Sequence, residues 1–219
     1  MYKHEEKRDS VAIMKEKSEQ NKLFDHITGV ILAGGSSTRY GQDKAFLKIG
    51  GVRLIDNMLE EMKSIFQRVI LITNEKKKYE YLEVPIFEDL VKGFGPLGGI
   101  YTGLMSISTQ AGFFVACDMP RINRQLVQYM VNIKRNHKAV VPAVADNIEP
   151  LHAIYSRSCL KPIRHLIDTQ RYQVRLFYDS IPVRYVTEDE IRTFCCPSTA
   201  FLNINTPDEF AKIKSLINP

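Results

Sequence analysis

The residues from Leu32 to Lys44, LAGGSSTRYGQDK, combine small residues with cations in a way that suits phosphate binding. Gly34 and Gly35 have no Cβ, so backbone N–H groups of this loop can approach an anion closely. Arg39 can add a planar fork of donors, and Lys44 can add a mobile point charge. A purely structural turn would explain the two glycines alone, whereas the added cations favour a site for a nucleoside triphosphate.

The common phosphate-binding motifs do not account for this loop. A Walker loop needs Gly-Lys followed by Ser or Thr, but Gly41 is followed by Gln42. The GxGxxG spacing of dinucleotide-binding loops is also absent. The pattern therefore argues against a regulatory GTPase.

Asp118 is the clearest single candidate for metal chemistry. An apolar run ends at this carboxylate, and Met119-Pro120 then turns the chain away. A carboxylate on a rigid strand end can bind a hard cation, and magnesium typically takes one or two carboxylates together with substrate phosphates. The alternative is that Asp118 caps the next helix, because capping also needs only a side-chain oxygen.

Three further polar residues lie at or just after the ends of predicted strands. Asp89 could accept hydrogen bonds from a base or ribose, or could simply form a turn. Asn203 and Asn205 are predicted to share one face of a strand and to contact a substrate or complete a metal shell, unless Asn205 or Thr206 caps the last helix. His152 lies in an apolar strand and is interpreted as a core or rim histidine with satisfied hydrogen bonds rather than as a catalytic base.

These residues are positioned by an alternation of strands and helices that starts at Ile27. Periodicity predicts strands at 27–31, 68–73, 84–87, 112–117, 139–144, 151–155, 183–186 and 201–204, and helices at 53–66, 100–107, 124–135, 158–169 and 208–216. The segment 95–99 is predicted to be a tight turn. The alternation predicts an α/β fold with a mainly parallel sheet, in which ligands bind at the carboxyl ends of strands.

Composition sets the remaining limits. Residues 1–26 are polar and are predicted to form an extension, either a marginal helix or disordered, outside one domain at 27–219. No run approaches the ~18 apolar residues of a membrane span, and the charged N-terminus lacks a signal peptide's apolar core, so we expect a cytoplasmic protein. The net charge of +5 without a dense basic stripe argues against nucleic acid. The cysteines, without CxxC or zinc spacing, are expected to be reduced thiols.

The order of four motifs resembles that of the molybdenum cofactor guanylyltransferases. These motifs are LAGGSSTRYGQDK, GPLGG at 95–99, CDMP at 117–120 and NINTP at 203–207, and the resemblance runs from about Ile27 to Ile217. It implies a single-domain, Rossmann-like, three-layer α/β/α fold of the nucleotide-diphospho-sugar transferase type. It also implies transfer of GMP from GTP to molybdopterin with Mg²⁺ and release of pyrophosphate.

The same resemblance implies roles for individual residues. The nucleotide would contact Leu32, Ala33, Gly34, Lys44, Asp89 and Asp118, and Asp118 would also hold Mg²⁺. Catalysis would use Asp118, Lys44 and Arg39, while Asn203 and Asn205 would lie beside molybdopterin. The expected partners are GTP, molybdopterin and molybdoenzyme-maturation proteins, and the expected state is a monomer or weak oligomer.

Two groups of alternatives remain open at the level of sequence. A cytidylyltransferase for the same cofactor, or a sugar-phosphate nucleotidyltransferase, would keep the reaction and change the substrates. A carrier module that binds the nucleotide and cofactor without turnover would need no carboxylate at the end of the central strand.

Overall fold

The computed structural model describes residues 23–34, 44–204 and 206–217. The strands of this part are β1 (Ile27–Leu32), β2 (Lys48–Ile49), β3 (Val52–Arg53), β4 (Val69–Ile72), β5 (Ile86–Phe87), β6 (Ala111–Ala116), β7 (Ala139–Val144), β8 (Asn147–Ile148), β9 (His152–Ser156) and β10 (Val183–Val186). Its helices are α1 (Leu54–Ile65), α2 (Lys76–Tyr79), α3 (Gly95–Ser106), α4 (Arg124–Ile133), α5 (Leu160–Asp168), α6 (Glu188–Arg192), α7 (Pro197–Ala200) and α8 (Pro207–Ile217). Among these helices, none has the length and apolar character that crossing a bilayer requires.

The main sheet has the strand order β10-β7-β9-β6-β1-β4-β5, with β8 added beside β7. The pairs β10/β7, β6/β1, β1/β4 and β4/β5 are parallel, whereas β9 runs antiparallel to both β6 and β7. The predicted α/β fold with a mainly parallel sheet is therefore confirmed. Because β9 is reversed, the loop that leads into it lies at the edge where β6 and β7 end.

Helices cover both faces of this sheet because successive strand residues point to opposite sides. On β1, Ile27 and Ile31 pack with buried residues of α1 and α4, while Val30 and Leu32 pack with buried residues of α3 and α5. Each large apolar side chain that is fully buried contributes roughly 1.5–3 kcal/mol. The two cores make the sheet a rigid support for its carboxyl-end loops.

A small third core attaches the C-terminal segment to the loop side of the domain. Ile49 of the β2/β3 hairpin and Leu54 at the start of α1 pack with Ile204 and Ile213. The backbone N–H of Ile204 also donates to the carbonyl oxygen of Asp118 at 2.9 Å. The segment before α8 is thereby held against the end of β6.

Two local predictions are wrong. The segment 201–204 is not a strand: it is an irregular connection between α7 and α8, held by the bond from the Ile204 N–H to the Asp118 carbonyl and not by a ladder. The segment 95–99 is not a separate turn but the beginning of α3, with Pro96 in the first turn where its missing N–H costs nothing. Gly98 and Gly99 are tolerated in this helix because they pack closely against neighbouring residues.

The predicted boundary after residue 26 stays a prediction, since residues 1–22 lie outside the described part of the chain. Phe24, however, already contacts the domain. Its N–H donates to the carbonyl of Ile65 and its carbonyl accepts from the N–H of Gln67, both at 2.9 Å.

Candidate active site

The carboxyl end of β1 lies between the ends of β4 and β6. The N–H of Ala33 donates to the carbonyl of Ile72 at 2.9 Å, and the carbonyl of Leu32 accepts from the N–H of Cys117 at 3.0 Å. Gly34 is the first exposed residue beyond this point, and no described atom lies within 4 Å of where a Cβ would stand. Backbone groups at Gly34 are therefore accessible to a ligand at the carboxyl edge.

Asp118 lies just after β6 and is partly buried. Loss of water around the carboxyl raises its pKa, and the positive charge of Lys44 opposes that shift. The helix that follows is capped by Asn123, whose side-chain oxygen accepts from the N–H of Leu126 at 2.9 Å. The capping alternative for Asp118 is therefore excluded, because another residue performs that task.

Lys44 begins a short 3₁₀ turn, Lys44–Phe46, and residues 35–43 before it lie outside the described part of the chain. Its effect on Asp118 shows that the fold brings a cation and a carboxylate together from distant parts of the sequence. Such a pair can hold a polyphosphate and its metal, since the cation faces phosphate oxygens and the carboxylate faces the metal.

Asp89 forms a second, different carboxylate site at the end of β5. Its Oδ2 accepts from Asn74 Nδ2 at 3.0 Å, and its N–H donates to Asn74 Oδ1 at 3.2 Å. The other oxygen, Oδ1, is buried and makes no hydrogen bond with the described residues. Burial raises the pKa of Asp89, and the side chains of Asn74 and Thr102 and the charge of Lys92 oppose this shift. One orientated acceptor is thus left for a ligand.

Gly99 closes the space between Asp89 and the end of β1. A Cβ on this glycine would lie 3.2 Å from Leu32 Cδ2 and 3.9 Å from Asp89 Oδ1. The GPLGG motif therefore lets the start of α3 approach the strand ends closely. The Asn74–Asp89 pair was not predictable from sequence. The sequence shows that each residue follows a strand, but not that these two strands are neighbours in the sheet.

The remaining predicted site residues divide by location. Asn203 is partly buried and immediately precedes Ile204, whose N–H donates a hydrogen bond to the carbonyl oxygen of Asp118. Arg39 and Asn205 lie outside the described residues, so their roles remain predictions. Thr206 accepts from the N–H of Glu209 at 3.2 Å, so it is Thr206 that caps the last helix. His152 is buried in the core as predicted, but the prediction that its hydrogen bonds are satisfied is wrong, because neither ring nitrogen has a partner among the described residues.

The chemistry of the donors fits a magnesium ion shared with a substrate. Within the described part of the chain, no group of three or more His, Cys, Asp or Glu side chains could hold a metal by itself. Asp118 offers one carboxylate, which is the usual protein contribution when phosphates supply further oxygens. The described cysteines are free thiols, as expected.

Comparison with known proteins identifies the family. The model of the MobA-like NTP transferase domain matches residues 29–183. The chain belongs to this family. The predicted nucleotidyltransferase class is thereby confirmed, and the matched region includes Gly34, Lys44, Asp89 and Asp118.

Individual members are similar over nearly their whole length. A probable molybdenum cofactor guanylyltransferase of Pelotomaculum thermopropionicum is 35% identical, covering 85% of this chain and 91% of that protein. A molybdenum cofactor guanylyltransferase of Syntrophotalea carbinolica is 33% identical, covering 84% and 89%. The crystal structure of molybdopterin-guanine dinucleotide biosynthesis protein A from Archaeoglobus fulgidus has a TM-score of 0.76 at 26% identity, covering 87% and 98%.

Proposed function

We propose that this MobA-like NTP transferase transfers GMP from GTP to the terminal phosphate of molybdopterin, with Mg²⁺ as the metal. The observation that carries the proposal is the position of Asp118 at the carboxyl end of β6, next to the end of β1, where the charge of Lys44 also acts on its carboxylate. The names of the relatives with full-length similarity support the choice of substrates.

The transfer requires little acid–base chemistry from the protein. An oxygen of the molybdopterin phosphate forms a bond to the α-phosphorus of GTP, and the bond from that phosphorus to the bridging oxygen breaks to release pyrophosphate. Because the nucleophile is already an anion, no side chain has to remove a proton. This agrees with the absence of a histidine base among the described site residues.

The main barrier is the approach of two anions. Lys44 and, by prediction, Arg39 would reduce this repulsion and stabilise charge on the phosphate oxygens. Asp118 would hold Mg²⁺, which when bound supplies positive charge to the same oxygens. Backbone groups at Gly34 would fix the triphosphate so that attack is in line.

Asp89 favours guanine over cytosine. Its free Oδ1 is an acceptor, and guanine presents adjacent N–H donors on its pyrimidine edge. Cytosine presents one amino donor beside acceptors, which would leave the carboxylate facing acceptor lone pairs. The geometry at β5 thus supports GTP as the nucleotide.

The decisive experiment measures pyrophosphate release by the full chain with Mg²⁺, molybdopterin and either GTP or CTP under anaerobic conditions. We expect turnover with GTP and a loss of about a hundredfold or more in Asp118→Asn, because the metal position is lost. Asp179→Asn, at an exposed site, is the matched control and should keep full activity. Tight GTP binding without pyrophosphate release by the unmodified chain would instead identify a carrier module.

A further inference from the structure

Glu149 lies at the same edge of the sheet as Asp118. It is on the side of Asp118 opposite to Asp89. Its N–H donates to the carbonyl of Pro142 in β7 at 2.9 Å, and its carbonyl accepts from the N–H of His152 at 3.2 Å. Leu151, two residues later, accepts from the N–H of Ala116 at the end of β6 at 3.1 Å. The reversed strand β9 therefore fixes the backbone of Glu149 among the carboxyl ends of β6 and β7.

The side chain of Glu149 is partly buried, and its carboxylate has no ion pair or hydrogen bond with any described residue. Burial alone raises its pKa to about 7. A carboxylate that loses water without gaining donors costs stability. Donors from a bound molecule would offset that cost, as they would for Oδ1 of Asp89.

The two carboxylates are too far apart to serve one ring. From β5, which precedes Asp89, the sheet passes through β4, β1 and β6 to β9. Four spacings of about 4.8 Å place them roughly 19 Å apart, with Asp118 between them. This arrangement fits two ring systems joined by phosphates over Asp118, with the guanine at Asp89 and the second ring at Glu149.

We infer that Glu149 recognises the acceptor by accepting hydrogen bonds from the pterin ring of molybdopterin. This inference rests on the proposed function and adds the residue that selects its second substrate. A pterin has a 2-amino-4-oxo pyrimidine edge, on which a ring N–H and an amino N–H point the same way. A carboxylate matches these two donors, and guanine carries the same edge. One fold thus presents one acidic side chain to each of two similar rings.

The test compares steady-state kinetics of the unmodified chain, Glu149→Gln and Glu149→Asp, with molybdopterin and GTP varied in turn. We expect Glu149→Gln to raise the KM for molybdopterin about 10- to 100-fold, because its amide places a donor against pterin donors. The KM for GTP should change less than about twofold. Glu149→Asp keeps the charge and should recover part of the loss, whereas Glu60→Gln, at an exposed position on α1, should behave like the unmodified chain.

Each result has a distinct meaning. An unchanged KM for molybdopterin in Glu149→Gln, or an equal rise in both KM values, would overturn the inference while leaving the proposed function intact. Failure of the unmodified chain to release pyrophosphate would overturn the proposed function, and the inference with it. If Glu149→Gln does not fold, as judged by thermal unfolding, Glu149→Asp decides: no increase in the molybdopterin KM relative to the unmodified chain overturns the inference, and a selective increase supports it.

Discussion

Individual titratable residues along one edge of the sheet are distinguished by their partners. Asp118 has the charge of Lys44, Asp89 has Asn74 on one oxygen, and Glu149 has no described partner. His152 is the extreme case, since both ring nitrogens are buried without hydrogen bonds, and edge-to-face contacts join it to Phe113 and Phe201. Burial lowers the pKa of His152 to about 4, so the ring is neutral in the folded protein.

We predict that His152 makes stability pH-dependent between about 6.5 and 4. In the unfolded chain the imidazole binds a proton below its ordinary pKa of 6.5, whereas the folded protein resists protonation until about pH 4. Stability is therefore full above pH 6.5 and falls as pH drops, by on the order of 3 kcal/mol. Urea unfolding of His152→Leu from pH 4 to 7 should lack this component.

The decisive measurement for this prediction is the difference in free energy of unfolding between His152→Leu and the unmodified protein, plotted against pH. Because the pKa of Glu149 is raised in the folded state, this residue makes the protein more stable as pH falls from about 7 to 4.5. In the unmodified protein this gain partly cancels the loss of stability caused by His152. His165→Gln, at an exposed position, is the control for replacing a histidine and should change the free energy of unfolding at pH 7 by less than about 0.5 kcal/mol. Parallel profiles for His152→Leu and the unmodified protein would contradict the assignment.

At the scale of elements, the start of α3 shows how a glycine motif lets a helix approach the backbone of a candidate site. Gly98 faces the carbonyl oxygen of Val91, in the loop that follows Asp89, and a Cβ there would lie only 2.7 Å from that oxygen. Gly99 makes a similar close approach to Leu32. The motif lets a helix end pack against backbone that carries Asp89.

We expect Gly98→Ala to destabilise the protein by about 1–3 kcal/mol and to weaken GTP binding. A backbone oxygen has to move, and this cost exceeds the gain of ~1 kcal/mol that alanine brings to a helix. Urea unfolding and calorimetric titration with GTP measure the two effects. Met105→Ala, at an exposed position of the same helix, should stay within about 0.5 kcal/mol. Equal stability of both variants would show that the contact is not close.

At the scale of the whole molecule, cavity size does not locate the site. A cavity of about 430 Å³ is lined by Thr28, Arg68 and Ile107 at the amino-terminal edge of the sheet. A smaller one of about 290 Å³, lined by Pro120, Asn57 and Thr199, lies beside the segment that follows Asp118. The carboxylates of Asp89, Asp118 and Glu149 all lie at the opposite, carboxyl edge of the sheet, where ligands of such sheets bind.

We predict that GTP with Mg²⁺ stabilises the whole domain, because a ligand that binds only the folded state shifts the unfolding equilibrium. At a concentration about 100 times its Kd, GTP should add about 2.7 kcal/mol, or roughly 5–10 °C in Tm. CTP at the same concentration should give a clearly smaller shift. Asp89→Asn should reduce the GTP shift and keep the ligand-free Tm close to that of the unmodified chain. Equal shifts for GTP and CTP would argue against guanine recognition at Asp89.

The sequence by itself determined the strand–helix alternation and the position of Asp118 at a strand end, because these depend on residues that are close along the chain. Only the tertiary structure decided that β9 is reversed, that Asn74 meets Asp89, and that Glu149 lies beside the ends of β6 and β7. It also placed 95–99 in a helix and made 201–204 irregular. Strand direction and pairing depend on which distant segments pack together, and that packing free energy overrides local preference.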